Sequence, residues 1–269
     1  MRKQVFLFLL CCFFPLSSLA ESLEWMNTED RYSEWLYVSG RGEMRYYAQN
    51  DPRWGMMHFR YPHHQVSPTF SGTGCVPSAL ANCIANLVSR EKLIALDAYS
   101  QGEGFFICPC SMNSLECSRM HERYRLQTTS DYERFLSLAI GSYISGNNPE
   151  LQYACGTLYM LDELAAIYGL RYQRVDDLHR AADIVRNQQA LAIFLVGGED
   201  CPFTQNGHAL VLCYADDQEY YFLDSYFRLN YEFDRMRIVR IIEPGLVAVR
   251  RDKISRLGAN SIYVIWPEN

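Results

Sequence analysis

Gly72-Thr73-Gly74-Cys75-Val76-Pro77-Ser78-Ala79-Leu80-Ala81-Asn82-Cys83-Ile84-Ala85-Asn86-Leu87-Val88 decides how the rest of the chain is read. Two glycines give a loop that tolerates close backbone approach, and an apolar run of helical length follows. Pro77 falls in the first turn, where the amide hydrogen it lacks would have had no partner. Small or apolar residues occupy nearly the whole circumference, so the stretch predicts a buried central helix. Cys75 then stands at the helix N-terminus, where unpaired amide hydrogens and the positive end of the dipole favour a thiolate. Without further support, such a cysteine is equally at home as a small buried hydrophobe or half of a disulfide.

The chain has 269 residues, long enough for one sizeable core, with 49% hydrophobic and 21% charged residues. Its formal charge of −6 argues against nucleic acid or an anionic membrane as the main partner. The 19 tyrosines and 14 phenylalanines suit strands and an aromatic-lined groove. Residues 1–20 read as a secretory signal: Arg2 and Lys3 lead an apolar stretch from Val5 to Phe14, and Ser18-Leu19-Ala20 is a small-x-small cleavage site. The apolar stretch is too short for a comfortable membrane span. Cleavage after Ala20 removes two positive charges from −6 and leaves −8. The expected location is outside the cytoplasm, in a periplasm or secreted, with no stable membrane span afterwards.

Export makes the cysteine count meaningful. Cys11 and Cys12 leave with the signal; Cys75, Cys83, Cys108, Cys110, Cys117, Cys155, Cys201 and Cys213 remain. Cys83 on the apolar helix and Cys213 in Ala209-Leu210-Val211-Leu212-Cys213 read as buried packing thiols. Cys108, Cys110, Cys117, Cys155 and Cys201 form the set available for disulfides, with at least one left over. Cys108-Pro109-Cys110, Cys117 and His121 also have roughly zinc-like spacing, against which the oxidising compartment favours disulfides.

Residues 21–45 read as an N-terminal arm and 46–269 as a single domain, with a Cys-rich insertion at about 101–150. Within the domain, Asn50-Asp51-Pro52 is turn chemistry. Asp131 to Ile140 and Leu161 to Tyr168 are amphipathic helices, the second closed by Gly169, and a turn at Val175 leads into a helix ending at Asn187. Leu191 to Val196 is a buried strand, His208 opens another, Asp216-Asp217 turns the chain, and Tyr220 to Asp224 returns beside it. Ile238 to Ile242 and Ser261 to Ile265 follow as strands, with a short helix from Asp252 to Leu257 between them. The layout is α+β, a central buried helix packed on an antiparallel sheet.

Nucleophilic catalysis by cysteine needs a thiolate, an adjacent base, a group that orients the base and donors for the oxyanion. Each has a candidate at the edge of a predicted element. Cys75 heads the helix; His208 opens a strand after Gly207; Asp224 ends the partner strand that the hairpin brings back beside His208; Gln49 can donate its amide beside the Cys75 N–H. Taken singly, a strand-end histidine, a turn-forming Asp224-Ser225 and a polar Gln49 each have an ordinary structural reading.

Together the segments Gln49-Asn50-Asp51-Pro52-Arg53-Trp54-Gly55, Gly74-Cys75-Val76-Pro77-Ser78-Ala79-Leu80, Gly207-His208-Ala209-Leu210-Val211 and Leu223-Asp224-Ser225 resemble papain-like cysteine peptidases of the bacteriocin-leader-processing type. These are family thirty-nine of the cysteine peptidases and its secreted, transporter-free relatives. The resemblance spans roughly 46–100 and 155–265. It implies a papain-like fold, cleavage of a peptide or protein substrate through a thioester, and no cofactor or metal. Carried over, Cys75 is nucleophile, His208 base and acid, Asp224 orienter and Gln49 oxyanion donor. The insertion at 101–150 departs from the family pattern, and no transporter domain is present to couple cleavage to export. Secreted streptopain-like peptidases are a neighbouring resemblance, but the Trp- and Gly-rich stretch they carry after the histidine strand is replaced here by Asp224-Ser225-Tyr226-Phe227. The same machinery serves transglutaminases, deamidases and cell-wall amidases, and a silent envelope binding module is the non-enzymatic alternative.

Overall fold

The computed structural model describes residues 35–51, 54–55, 69–94, 133, 136–147, 161–187, 189–226 and 238–268. The signal-like segment, most of the Cys-rich insertion and Cys108, Cys110, Cys117, His121 and Cys155 lie outside them. All described residues belong to one unit, Ser33–Asn269. The architecture is α+β: seven antiparallel strands form one sheet, and helices pack against it.

The element read first is α1, Cys75–Leu87. Every residue from Val76 to Ile84 is buried, as a helix apolar on all sides requires. It ends at Leu87, where the following Val88 is extended, and a short 3₁₀ turn, Arg90–Lys92, follows. Against α1 packs α2, Leu136–Asn147. Its buried residues Leu136, Ala139, Ile140, Tyr143 and Ile144 follow the i, i+3, i+4, i+7, i+8 spacing of one helical face. The described residues of the expected Asp131–Ile140 segment are helical, and the helix runs on beyond it through Ser145-Gly146-Asn147.

Within the stretch assigned to the arm, β1 (Trp35–Val38) and β2 (Gly42–Arg45) form a hairpin. Leu36, Val38 and Met44 are buried on one side, whereas Trp35 and Tyr37 are exposed on the other. The later helices are α3 (Leu161–Tyr168) and α4 (Leu178–Asn187). Gly169 takes the left-handed conformation (φ +63°) expected after a helix end. Asp177 caps α4 by accepting from the His179 and Arg180 amides at 2.8 and 3.1 Å.

The sheet comprises β3 (Leu170–Val175), β4 (Leu191–Val196), β5 (His208–Ala215), β6 (Glu219–Asp224), β7 (Val239–Glu243), β8 (Leu246–Arg250) and β9 (Ser261–Pro267), in spatial order β3-β9-β4-β5-β6-β8-β7. Strand β5 is therefore central. Its residues His208–Cys213 are all buried, which a strand covered on both faces demands. Leu210 and Leu212 join a core with Ala181, Ala182 and Val185 of α4. Cys213, of opposite parity, interacts with Cys83 of α1. The Asp216 carboxylate fixes the β5–β6 turn by accepting from the Gln218 and Glu219 amides at 2.8 and 2.7 Å. Cys75, Cys83, Cys201 and Cys213 are free thiols. Cys201, which the sequence groups with the disulfide candidates, is buried and unbridged.

Candidate active site

Cys75 is the first residue of α1 and partly exposed. The preceding helical turn, Phe70–Thr73, is capped by the Thr69 hydroxyl, which accepts from the Gly72 amide at 3.0 Å. Between the two elements stands Gly74. A Cβ there would strike the Phe70 ring and the Phe70 carbonyl, so glycine at this position lets the turn run straight into the helix. Pro77 in the first turn of α1 carries no amide hydrogen and the Ser78 amide donates to the Gly74 carbonyl at 3.1 Å, so Cys75 and Val76 supply the donors of the helix start.

His208 is the first residue of β5 and is 7% exposed. Register pairs Asp224, the last residue of β6, with Leu210, so the Asp224 carboxylate reaches back two residues to the imidazole. His208 Nε2 lies 2.6 Å from Asp224 Oδ1. The Tyr226 amide donates to that same oxygen at 2.9 Å. Two donors on one oxygen fix the carboxylate, and through it the ring. That leaves His208 Nδ1 as the ring nitrogen turned from Asp224, and the Cys75 side chain is near enough to the imidazole to help raise its pKa. Burial by itself pushes the His208 pKa down, but the Asp224 charge and hydrogen bond, with the Cys75 side chain behind them, outweigh it and raise it to about 9. The protonated imidazolium is the favoured state beside the sulfur at neutral pH.

Gln49 is buried and held from two sides. Its Nε2 donates to the Ser71 carbonyl at 2.7 Å, and the Ser225 hydroxyl donates to its Oε1 at 3.3 Å. Its backbone N–H reaches the Ser225 carbonyl at 2.5 Å. One Nε2 hydrogen points to Ser71, and the second remains for an oxyanion. The Trp54 turn underlies this placement. The Trp54 indole donates to the Ala48 carbonyl at 2.8 Å, and the Gly55 carbonyl accepts from the Ser71 amide at 2.8 Å. The chain on either side of Gln49 is thereby tied to the loop that introduces Cys75.

Three residues escape the sequence reading. Phe203, buried in the β4–β5 loop, stacks on the His208 ring with centroids 6.5 Å apart and planes 23° from parallel. Ser225 ties Gln49 to β5, because its hydroxyl also lies 3.0 Å from the Ala209 carbonyl. Tyr226 supplies the second donor on Asp224. Their only signal in sequence is adjacency to His208 and Asp224, and adjacency does not say which way a loop side chain turns.

The arrangement has the parts of a nucleophilic cysteine site: a cysteine beside an imidazole that favours its charged form, a carboxylate holding that imidazole and amide donors at the helix start. Among the described residues no three His, Cys, Asp or Glu side chains are grouped to hold a metal ion. No helix among them is long and apolar enough to cross a membrane. Comparison with models of protein families, with curated proteins and with solved structures found no match for this chain.

Proposed function

We propose that the chain is an exported cysteine peptidase with a papain-like fold, hydrolysing peptide bonds in a peptide or protein substrate. The observation that carries this reading is the Cys75–His208–Asp224 relay. Three side chains from a helix start, a strand start and a strand end come together, His208 hydrogen-bonded to Asp224 and close to Cys75, with the sulfur partly exposed and the other two buried. The fold supports it in turn: a buried helix carrying the nucleophile at its N-terminus packs on an antiparallel sheet that supplies the base.

The proton of Cys75 rests on His208 Nδ1 in a thiolate–imidazolium pair, and the sulfur attacks the scissile carbonyl carbon. The carbonyl oxygen takes the negative charge, facing the Cys75 N–H and Gln49 Nε2. Collapse breaks the C–N bond, and the leaving amine takes the proton from the imidazolium, leaving a thioester. Water, deprotonated by the now neutral His208, hydrolyses the thioester and restores the thiol. Asp224 keeps the ring oriented and favours its charged form throughout.

The test is cleavage of fluorescein-labelled casein, with products identified by mass spectrometry. The Cys75→Ala protein, its fold checked by circular dichroism, serves as control. Release of new peptide termini by the wild type alone supports the proposal; equal product from Cys75→Ala refutes it. Products that carry deamidated or crosslinked glutamine, or cleaved muropeptides in place of cleaved protein, would reassign the same site to another acyl transfer.

A further inference from the structure

The nucleophile helix also carries a ruler for the oxyanion donor. Asn82 Oδ1 accepts from the Tyr47 amide at 2.7 Å, and Asn82 Nδ2 donates to the Tyr47 carbonyl at 3.3 Å. One turn on, Asn86 Oδ1 accepts from the Arg45 amide at 2.7 Å while its Nδ2 donates to the Arg45 carbonyl at 2.8 Å. Each side-chain amide thus treats one residue of an extended segment as a neighbouring strand would, engaging both its N–H and its C=O. The spacings match: four helical residues rise ~6 Å, and two extended residues span ~6.6 Å. The extended segment therefore runs antiparallel to α1, with 86 opposite 45 and 82 opposite 47. The next rung sets 78 opposite 49, which is Gln49. Here the ladder ends, because the buried Ser78 hydroxyl has no hydrogen-bond partner and the Gln49 amide goes to Ser225 instead.

Resting on the peptidase reading above, we propose that Asn82, supported by Asn86, is a positioning residue for the oxyanion donor. It fixes the distance between Gln49 and Cys75 by clamping the Gln49 segment to the helix that bears the nucleophile. Asn82 is fully buried, so no water substitutes for its amide, and an apolar residue of the same size would remove both hydrogen bonds it makes to the Tyr47 backbone. Neither asparagine hydrogen-bonds to Cys75, His208 or Asp224, and the clamped segment reaches Asp224 at its backbone, where the Tyr46 hydroxyl donates to the carbonyl at 2.6 Å, and not at the carboxylate that holds His208. Loss of the clamp should therefore lower oxyanion stabilisation while leaving formation of the nucleophile intact.

Three proteins test this: Asn82→Leu; Asn82→Asp, which keeps the acceptor for the Tyr47 amide and survives if Asn82→Leu does not fold; and Ser78→Ala, a neighbouring substitution with no hydrogen bond to lose. Labelled casein reads turnover and iodoacetamide reads the thiol. Loss of alignment on the scale of an ångström predicts a fall in casein turnover of up to ~10²-fold for Asn82→Leu, less for Asn82→Asp and none for Ser78→Ala. Iodoacetamide reaction at Cys75 should stay within about twofold of wild type. Combining Asn82→Leu with Gln49→Ala should cost no more than Gln49→Ala alone, since both act through one group. Additive losses, or an alkylation rate that falls in step with turnover, would overturn the proposal. Should the wild type cleave no casein, the peptidase reading fails separately. The clamp is then judged by NMR: the Gln49 side-chain amide resonances must shift or broaden in Asn82→Asp and stay in place in Ser78→Ala, and unchanged resonances in Asn82→Asp refute it.

Discussion

Replacing Asp224 by asparagine isolates what the buried charge contributes. Asp224 Oδ1 accepts from both His208 Nε2 and the Tyr226 amide, so the asparagine should keep its carbonyl oxygen at that position and offer the same acceptor to both donors. The ring orientation survives and the negative charge is lost. His208 then feels its burial without compensation, and its pKa should fall from about 9 to below the ordinary histidine value of ~6.5. That difference corresponds to about 3 kcal/mol of imidazolium stabilisation, and at neutral pH the charged fraction falls from nearly all to about a quarter or less, a loss of roughly fourfold or more. Turnover should drop by a similar factor. The larger loss of ~10⁴ seen when such a substitution imposes the wrong tautomer should not occur, because the Tyr226 amide holds the oxygen in place. Titration of the His208 ring protons by NMR should give a midpoint near 9 in the wild type. Stability follows the same linkage. A raised native pKa contributes stability fully below ~6.5 and loses it as pH rises through about 9. Urea unfolding should therefore find Asp224→Asn destabilised most at pH 6 and progressively less toward pH 10, with the two pH values differing by about 3 kcal/mol. An unmoved histidine midpoint, or destabilisation that grows with pH, would refute the reasoning.

Cys75→Ala should abolish casein turnover and leave the unfolding midpoint nearly unchanged, because a small side chain replaces a small, partly exposed one at a helix start; circular dichroism melting and the cleavage assay check both. His208→Ala should be nearly as severe in turnover and should also slow iodoacetamide reaction at Cys75. Gln49→Ala should lower kcat on the order of 10²–10³, as expected for one oxyanion donor, with KM much less affected. Ser78→Ala should raise stability by about 1 kcal/mol in urea unfolding, because it removes a buried hydroxyl that has no partner and adds a better helix former.

Neighbouring residues along the chain determined much of this protein. A glycine before an apolar run places Cys75 at the start of a buried helix whatever packs on it. A continuous apolar stretch makes Leu191–Val196 a strand, and Asp216-Asp217 turns the chain so that Asp224 comes back beside His208. These are local effects of backbone freedom, side-chain period and turn chemistry, and local effects are written in sequence.

Tertiary structure decided the rest. β3 reads Leu170-Arg171-Tyr172-Gln173-Arg174-Val175, buried only at its two ends. It is an edge strand because β9 offers a partner, a fact no pattern within those six residues contains. β8, Leu246-Val247-Ala248-Val249-Arg250, is too short for its apolar run to separate strand from helix until β6 and β7 flank it. The hairpin of β1 and β2 was hidden in the same way. Asn82 and Asn86 look like weak helix formers in an apolar run. Their purpose is set by Tyr47 and Arg45, 35 and 41 residues away. Phe203, Ser225 and Tyr226 acquire their places only when the loops around His208 and Asp224 close. Hydrogen bonds and ring contacts of this kind depend on which surfaces meet, and the meeting is decided by burial of the whole sheet and its helices, which no single stretch of the chain encodes.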